Sequence, residues 1–337
     1  MTDVKVTPEK LKELVVNKLT EASLNKEHAD DVADVLVHAD LRGVSSHGVL
    51  RTEHYVKRLH EGGVNPDPTF SVKESGPCSA VFDGDDGMGH AVTKAAMEKA
   101  IDMAKNNGIG MISIVNSSHC GALSYFVQQA AEQNLVGMAL THTDNIVVPF
   151  GAKRPYFGTN PIAYGFPARI NKPVILDMAT SNVAFGKVLH ARESGKEIPA
   201  DWGVNEDGQP TTDPHDVSYL LPFAGPKGYG MGMLVDIMSG VLTGSNFGPK
   251  ISKMYGDYGK NRKLGHFIMT MDPAMFTDID EFLDSMDQMI DEIHDLEPAE
   301  GFSKVLVPGE PEQMKEEKAL SEGVYVTKSV YDYLTNE

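Results

Sequence analysis

Cysteine is nearly absent from this chain: Cys78 and Cys120 are the only two among 337 residues. They cannot make a disulfide framework, and without a Cys-x-x-Cys pair they cannot make a zinc ribbon. Positive charge is short as well. Lys and Arg number 30 against 48 Asp and Glu, a net charge of -18. Nucleic acid and anionic membrane surfaces, both polyanions, are therefore poor partners. No apolar run approaches the roughly 20 residues that span a bilayer. Met1-Thr2-Asp3-Val4-Lys5 carries no hydrophobic signal region, so the expectation is a cytoplasmic chain without a membrane segment. Nucleotide and metal fingerprints are missing too. There is no Gly-x-Gly-x-x-Gly after a strand, no Gly-Lys-Ser/Thr at a helix start and no His-Glu-x-x-His. These gaps exclude a standard Rossmann signature, a P-loop and a zincin helix. The 12 histidines form no close His/Cys cluster. No metal is expected, and a metallohydrolase would have to gather its ligands from distant segments.

With 41% hydrophobic residues, the chain can bury a sizeable core, and its length suggests two or three compact units. It opens with helices. Thr7-Pro8 reads as a cap and first helical residue, and Leu11, Leu14, Val15 and Leu19 recur at helical spacing. Asn25 caps a second helix that ends near Arg42-Gly43. A third is predicted from Ser46-His47 to Gly62-Gly63. The middle alternates: strand 79–82, helix 91–107, strand 109–115, helix 121–134, strand 136–141. Short apolar runs broken by Gly, Pro and Asn follow, including Val174 to Ala179. Then comes a helix rich in Met and Gly from about Gly228 to Thr243. Glu193 to Thr212 reads as a surface excursion. A last amphipathic helix carries Phe282, Met286, Met289, Ile290 and Ile293 on one stripe, capped by Thr277 or Asp278.

Two stretches carry chemistry. In Ser45-Ser46-His47-Gly48-Val49-Leu50-Arg51, the residues His47, Arg51 and Tyr55 fall at i, i+4 and i+8, one face of a helix. An imidazole, a guanidinium and a phenol are costly to bury dry. That face should border a cleft or an interface; a solvated face is the plain alternative. The helix start favours an anion, and an arginine fork matches a carboxylate. In Ser117-Ser118-His119-Cys120-Gly121, His119 stands just past a strand's carboxyl end, where ligands of α/β sheets gather. Its imidazole can move a proton near neutral pH, and Gly121 would let a ligand approach the backbone. Cys120 reads as a small buried thiol. Gly225-Pro226-Lys227-Gly228-Tyr229-Gly230 opens a helix, as a pyrophosphate cradle or as a close-packed start. Asp177 follows a strand, to take a ribose hydroxyl or to cap a helix. Together these residues point to proton transfer on a small carboxylic acid. A metallohydrolase and a non-catalytic binding protein remain open from the residues alone.

Six motifs occur in a characteristic order: Arg42-Gly43-Val44-Ser45-Ser46-His47-Gly48, Ser118-His119-Cys120-Gly121, Val148-Pro149-Phe150-Gly151, Gly158-Thr159-Asn160-Pro161, Asp177-Met178-Ala179-Thr180 and Gly225-Pro226-Lys227-Gly228-Tyr229-Gly230. On them the chain resembles the malate/L-lactate/L-sulfolactate dehydrogenase family over nearly its whole length. The resemblance implies an α/β fold, with helical N- and C-terminal parts around a central mixed-sheet, non-Rossmann nicotinamide-binding domain. It places a helical part carrying substrate residues at 1–72, a mixed α/β cofactor region at 73–272, and a helical part at 273–337 packing back on the first. It implies a homodimer that uses NAD to oxidise a small-molecule 2-hydroxy acid. His119 is implied as general base, with His47 beside it in catalysis and Ser46, Arg51 and Tyr55 binding substrate. Thr143, Asp177, Met178, Ala179 and Lys227 are implied as cofactor contacts, and so are Gly265, His266, Phe267, Pro308, Gly309 and Glu310. A closer likeness in Gly76-Pro77-Cys78-Ser79-Ala80, Ser124 to Ala131, Thr211-Thr212-Asp213-Pro214, Gly301-Phe302 and Pro308-Gly309 implies (S)-ureidoglycolate, an acid of allantoin breakdown, as substrate and oxalurate as product. Other 2-hydroxy acids, or reduction of an imine or diketo acid, are the alternatives within the family.

Overall fold

A computed structural model of the chain describes residues 3–336. It begins with strand β1 (Asp3–Val6) and helices α1 (Pro8–Glu21), α2 (Lys26–Leu41) and α3 (Thr52–Glu61). Then come β2 (Ser71–Gly76), β3 (Ser79–Asp83), α4 (Gly89–Asn107), β4 (Ile109–Ser117), α5 (Ser124–Ala131), β5 (Val136–Thr141), β6 (Ile162–Phe166) and β7 (Val174–Met178). Next are α6 (Phe185–Ser194), the short strands β8 (Gly203–Val204) and β9 (Tyr219–Leu220), α7 (Pro226–Asp236) and β10 (Leu264–Met271). The chain closes with α8 (Ile279–His294), α9 (Glu310–Glu322), β11 (Val324–Thr327) and α10 (Lys328–Thr335). No helix among the described residues is long and apolar enough to cross a membrane.

The first helices begin where their caps predict. The Thr7 hydroxyl accepts the Lys10 N–H, and the Asn25 side-chain carbonyl accepts the N–H groups of Glu27 and His28. Leu11, Val15 and Leu19 of α1 pack against Val32 and Leu36 of α2, and Val324, Val326 and Leu334 from the far end of the chain join the same core. β1 and β11 pair antiparallel, which ties the two ends together.

The third helix departs from expectation. Ser45–His47 and Val49–Arg51 form two 3-10 turns, and α-helical geometry starts only at Thr52. His47, Arg51 and Tyr55 therefore do not share one face of a continuous helix. The physical cause is Asp40, near the end of α2. Its buried carboxylate accepts the Val49 N–H at 2.7 Å, drawing the chain inward. Gly48 lies so close that a Cβ there would stand 2.2 Å from the Asp40 carboxyl carbon. Burial raises the Asp40 pKa to about 6.

The centre is a seven-stranded mixed sheet in the order β2-β3-β4-β10-β5-β6-β7. β10 runs antiparallel to both of its neighbours, β4 and β5. β3 is parallel to β4, while β6 and β7 alternate beyond β5. As a result β3, β4, β5 and β7 all point the same way, and their carboxyl ends share one edge. On one face, Met97, Ala100 and Ala104 of α4 and Phe126 and Val127 of α5 pack on Ile112, Ile114 and Ile268. The other face buries Leu140, Ile162 and Phe267 against Val235 of α7, with Met231 and Met238 alongside. A π-helical turn over Ile237–Val241 extends α7.

Two further expectations are refined. The stretch Glu193 to Thr212 is mostly exposed, as expected, but Ile198 and Val204 anchor it. Ile198, Val217 and Leu220 join Val188 and Ala191 of α6 in a small core of their own. On α8 the buried stripe is Leu283, Met286 and Ile290, while Met289 faces out. Of the expected stripe only Met289 is exposed; Asp287 also takes a buried place and accepts the N–H groups of Ile170 and Asn171, each at 2.9 Å.

Candidate active site

The shared sheet edge assembles the site. His119 follows β4, Thr143 follows β5, and Asp177 and Met178 end β7. His119 is half-buried, and its Nδ1 lies 2.8 Å from the Tyr55 hydroxyl. The His47 ring stands 5.7 Å away, roughly parallel. Ser46 Oγ is 3.0 Å from His47 Nδ1. The Ser46 carbonyl accepts Arg51 Nε–H at 2.7 Å, and Arg51 Nη1 donates to the Tyr255 hydroxyl. Although the helix is broken, the two 3-10 turns still bring Ser46, His47, Arg51 and Tyr55 to His119. Desolvation holds the His119 pKa well below its ordinary value, reinforced by His47, Arg51, His90 and Arg262. His47 is pushed down to about 4, again chiefly by desolvation and then by Arg51.

Three readings change with the geometry. Tyr55 is 2% exposed, so its ring is core and only its hydroxyl reaches the site, through His119. Gly121 does not open the backbone to a ligand. It takes φ +80°, and a Cβ there would meet Val35 and His90 at 2.9 Å. Cys120 is buried and its thiol is pushed up to about 12 by burial, which leaves it unreactive.

Arg262 gives no signal in the sequence, where it is one basic residue in Lys260-Asn261-Arg262-Lys263. In the fold it is 1% exposed. Its Nη2 donates to Asp144 at 2.5 Å and its Nε to the Ser252 carbonyl at 3.3 Å. Nη1 has no acceptor among the described residues. Arg58, also buried, donates to the carbonyls of Lys253, Met254 and Lys260 and fastens the segment that bears Tyr255 and Arg262.

The second half of the site lies along the same edge. Asp177 accepts the Ser124 N–H at 2.8 Å, so it does cap a helix, but α5 rather than one that follows it. The residue is nevertheless exposed, while desolvation raises its pKa. That pairing describes a carboxylate on the floor of a recess. Asn160 is the hidden hub that gathers the other motifs. Its amide donates to the Gly232 carbonyl at 2.9 Å and to Asp236 at 3.3 Å, and its side-chain oxygen accepts the Thr143 N–H. Thr180 Oγ1 donates to the carbonyls of Thr159 and Asn160. Thr143, the segment just past β7 and the second half of α7 are thereby locked together. Lys227, in the first turn of α7, is exposed and makes no ion pair among the described residues.

A nicotinamide dinucleotide fits this donor set: a recessed carboxylate for ribose hydroxyls, and an ammonium at a helix N-terminus for a pyrophosphate. Met178 and Ala179 are half-buried beside them. Pro308 and Gly309 run along β7, with the Pro308 carbonyl accepting the Ile175 N–H at 3.1 Å. Glu310 is held by the Val307 N–H and stands 2.8 Å from His294 Nε2. Gly265, His266 and Phe267 do not present themselves to a ligand. All three are buried in β10. The His266 nitrogens are bonded to Thr141 Oγ1 at 2.7 Å and Ser117 Oγ at 2.8 Å, and Gly265 N–H goes to His142 Nε2. They support the edge from beneath. No cluster of three or more His, Cys, Asp or Glu among the described residues is arranged for a metal ion.

A family model described as malate/L-lactate dehydrogenase matches residues 6–335. The ureidoglycolate dehydrogenase (NAD(+)) of Escherichia coli strain K12 is 43% identical over 334 residues, covering 99% of this chain and 96% of that protein. The L-sulfolactate dehydrogenase of Methanocaldococcus jannaschii is 38% identical over 329 residues, covering 97% of this chain and 94% of that one. The solved structure of sulfolactate dehydrogenase from the same organism is similar with a TM-score of 0.93 at 37% identity, covering 98% of this chain and 95% of that chain. A malate dehydrogenase structure from Entamoeba histolytica, 28% identical, also gives 0.93 and covers 99% and 96%. The mixed-sheet fold expected from the sequence is the one observed, and the chain belongs to the malate/L-lactate dehydrogenase family.

Proposed function

We propose that this chain is an NAD-dependent dehydrogenase that oxidises (S)-ureidoglycolate to oxalurate, with His119 as the general base. The observation that carries the reaction type is the placement of His119, half-buried, hydrogen-bonded to Tyr55 and beside His47, at the sheet edge where β5 and β7 also end, with burial and the nearby Arg51 and Arg262 disfavouring its protonated form. The choice of acid rests on the ureidoglycolate dehydrogenase likeness.

The substrate carboxylate lies against Arg51, and the unmatched Nη1 of Arg262 is the second donor that an anionic group would satisfy. His47 and Ser46 line the same turn. The hydroxyl of the adjacent carbon faces His119 Nε2, which takes its proton. When bound, NAD supplies the nicotinamide ring that accepts the hydride. Asp177 holds ribose hydroxyls and Lys227 the pyrophosphate, with Thr143, Met178, Ala179 and the Pro308–Glu310 segment beside them.

The deciding experiment follows NADH absorbance with purified protein, NAD and (S)-ureidoglycolate, in parallel with malate, lactate and sulfolactate. Selective turnover of ureidoglycolate is expected. Turnover of another 2-hydroxy acid alone would discard the substrate and keep the family chemistry. No turnover of any acid would discard 2-hydroxy acid oxidation and reopen reduction of an imine or diketo acid. A cytoplasmic homodimer belongs to the same proposal, in keeping with the exposed apolar side chains Met233, Leu234, Ile237, Val241 and Leu242 along α7 and its π turn. Sedimentation at the mass of a single chain would remove the dimer.

A further inference from the structure

We infer that Tyr55 is a positioning residue: its hydroxyl oxygen accepts a hydrogen bond from His119 Nδ1–H and so keeps the Nε2 lone pair turned toward the substrate hydroxyl. Its catalytic consequence rests on the dehydrogenase reading above; the tautomer itself does not.

A neutral imidazole carries one hydrogen on either of two nitrogens, and the partner of one nitrogen decides what the other can do. The only hydrogen-bond partner of His119 Nδ1 among the described residues is the Tyr55 hydroxyl, at 2.8 Å. That hydroxyl cannot swing away. The Tyr55 ring is packed edge-on against His90 at 4.9 Å and against His54 at 5.4 Å, inside the core of α1 to α3. Unlike Arg262 Nη1, the Tyr55 hydroxyl already has a partner, His119 Nδ1.

Direction of the bond matters. With Nδ1–H donating to the phenol oxygen, Nε2 keeps its lone pair and can take the substrate proton. The same bond survives when His119 becomes imidazolium, so nothing around it has to reorganise as charge develops. The opposite arrangement, Tyr55 donating to Nδ1, would leave a hydrogen on Nε2 and no base facing the substrate. Burial keeps the phenol in its neutral form. A carboxylate in that place would orient the ring equally well but would raise the imidazole pKa. A buried phenol fixes the tautomer without adding that charge, and His119 stays a free base at neutral pH.

Nitrogen-15 NMR of the histidine side chains tests this on the unmodified protein, without substrate. The expected spectrum shows His119 protonated at Nδ1; protonation at Nε2 overturns the proposal. In Tyr55→Phe, which keeps the ring and is checked for its melting temperature, the Nε2–H form should appear. An unchanged tautomer there also overturns it. In turnover assays of the same variant, kcat should fall about 10–100-fold with the KM for the acid little changed. The acid limb of kcat/KM should move to lower pH, because the imidazolium has lost its acceptor. A raised KM with kcat retained would instead place Tyr55 on the substrate. Because the NMR result needs no turnover, failure of the tautomer and failure of the dehydrogenase reading are told apart.

Discussion

At His119, desolvation and the neighbouring His47, Arg51, His90 and Arg262 disfavour the protonated ring. The free enzyme therefore holds its base ready at pH values where an ordinary histidine, with a pKa of about 6.5, is partly protonated. The acid limb of kcat/KM, which reports the free enzyme, should lie below that value, and a limb well above it would exclude His119 as the titrating base. His119→Ala should lower kcat by about 10²–10⁴-fold with NAD binding retained, as read by fluorescence titration. Near-normal turnover would end its role. Arg51→Lys should raise the KM for the acid despite keeping the charge, since the planar fork is lost. An unchanged KM would assign the carboxylate to another residue. How much of this was readable in advance differs by residue. His119 announces itself by following a strand between serines and a glycine. Arg262 does not, because what singles it out is burial against Asp144 and Ser252, contacts that only the fold creates.

Elements were legible wherever local signals agreed. α1, α2 and α4 lie where capping residues and apolar spacing place them. Local reading failed where a side chain from elsewhere intervenes. The 3-10 turns of 45–51 answer to Asp40, and β10, whose buried residues 265–267 resemble family cofactor contacts, owes its place to pairing with β4 and β5. The turn makes its own prediction. Gly48→Ala must push the Asp40 carboxylate aside or shift the backbone. The cost should be about 1–3 kcal/mol, seen as a lower melting temperature. The KM for the acid should rise with it, because His47 and Arg51 flank the displaced residue. A variant with unaltered melting would mean that Asp40 does not hold this turn.

For the whole molecule, buried neutral histidines set the response to acid. Burial holds His38, His54, His90 and His266 each at about 3. Above about 6.5 the folded and unfolded chains leave these rings equally unprotonated. As pH falls from there toward 3, the unfolded chain takes up protons that the folded one refuses. Stability should drop by up to about 1.4 kcal/mol per histidine per pH unit. Asp40 works the other way: with a folded pKa raised to about 6, it favours the folded state increasingly as pH falls from that value toward 3.8. Asp31, Glu98 and Asp177, also raised by burial, act with Asp40, while His47 and His119, also lowered, act with the other four rings; the imidazoles outnumber the carboxyls and leave a net loss. Urea midpoints at about pH 7 and about pH 5.5 should show it, and equal midpoints would contradict the burial of these rings. The sheet order also has a consequence during synthesis. β10 is made long after β4 and β5, yet it separates them. Until the ribosome has released residues 264–271, both neighbours expose unpaired edges to other nascent chains. A truncation ahead of Leu264 should therefore accumulate with chaperones or as aggregate rather than as a smaller folded unit.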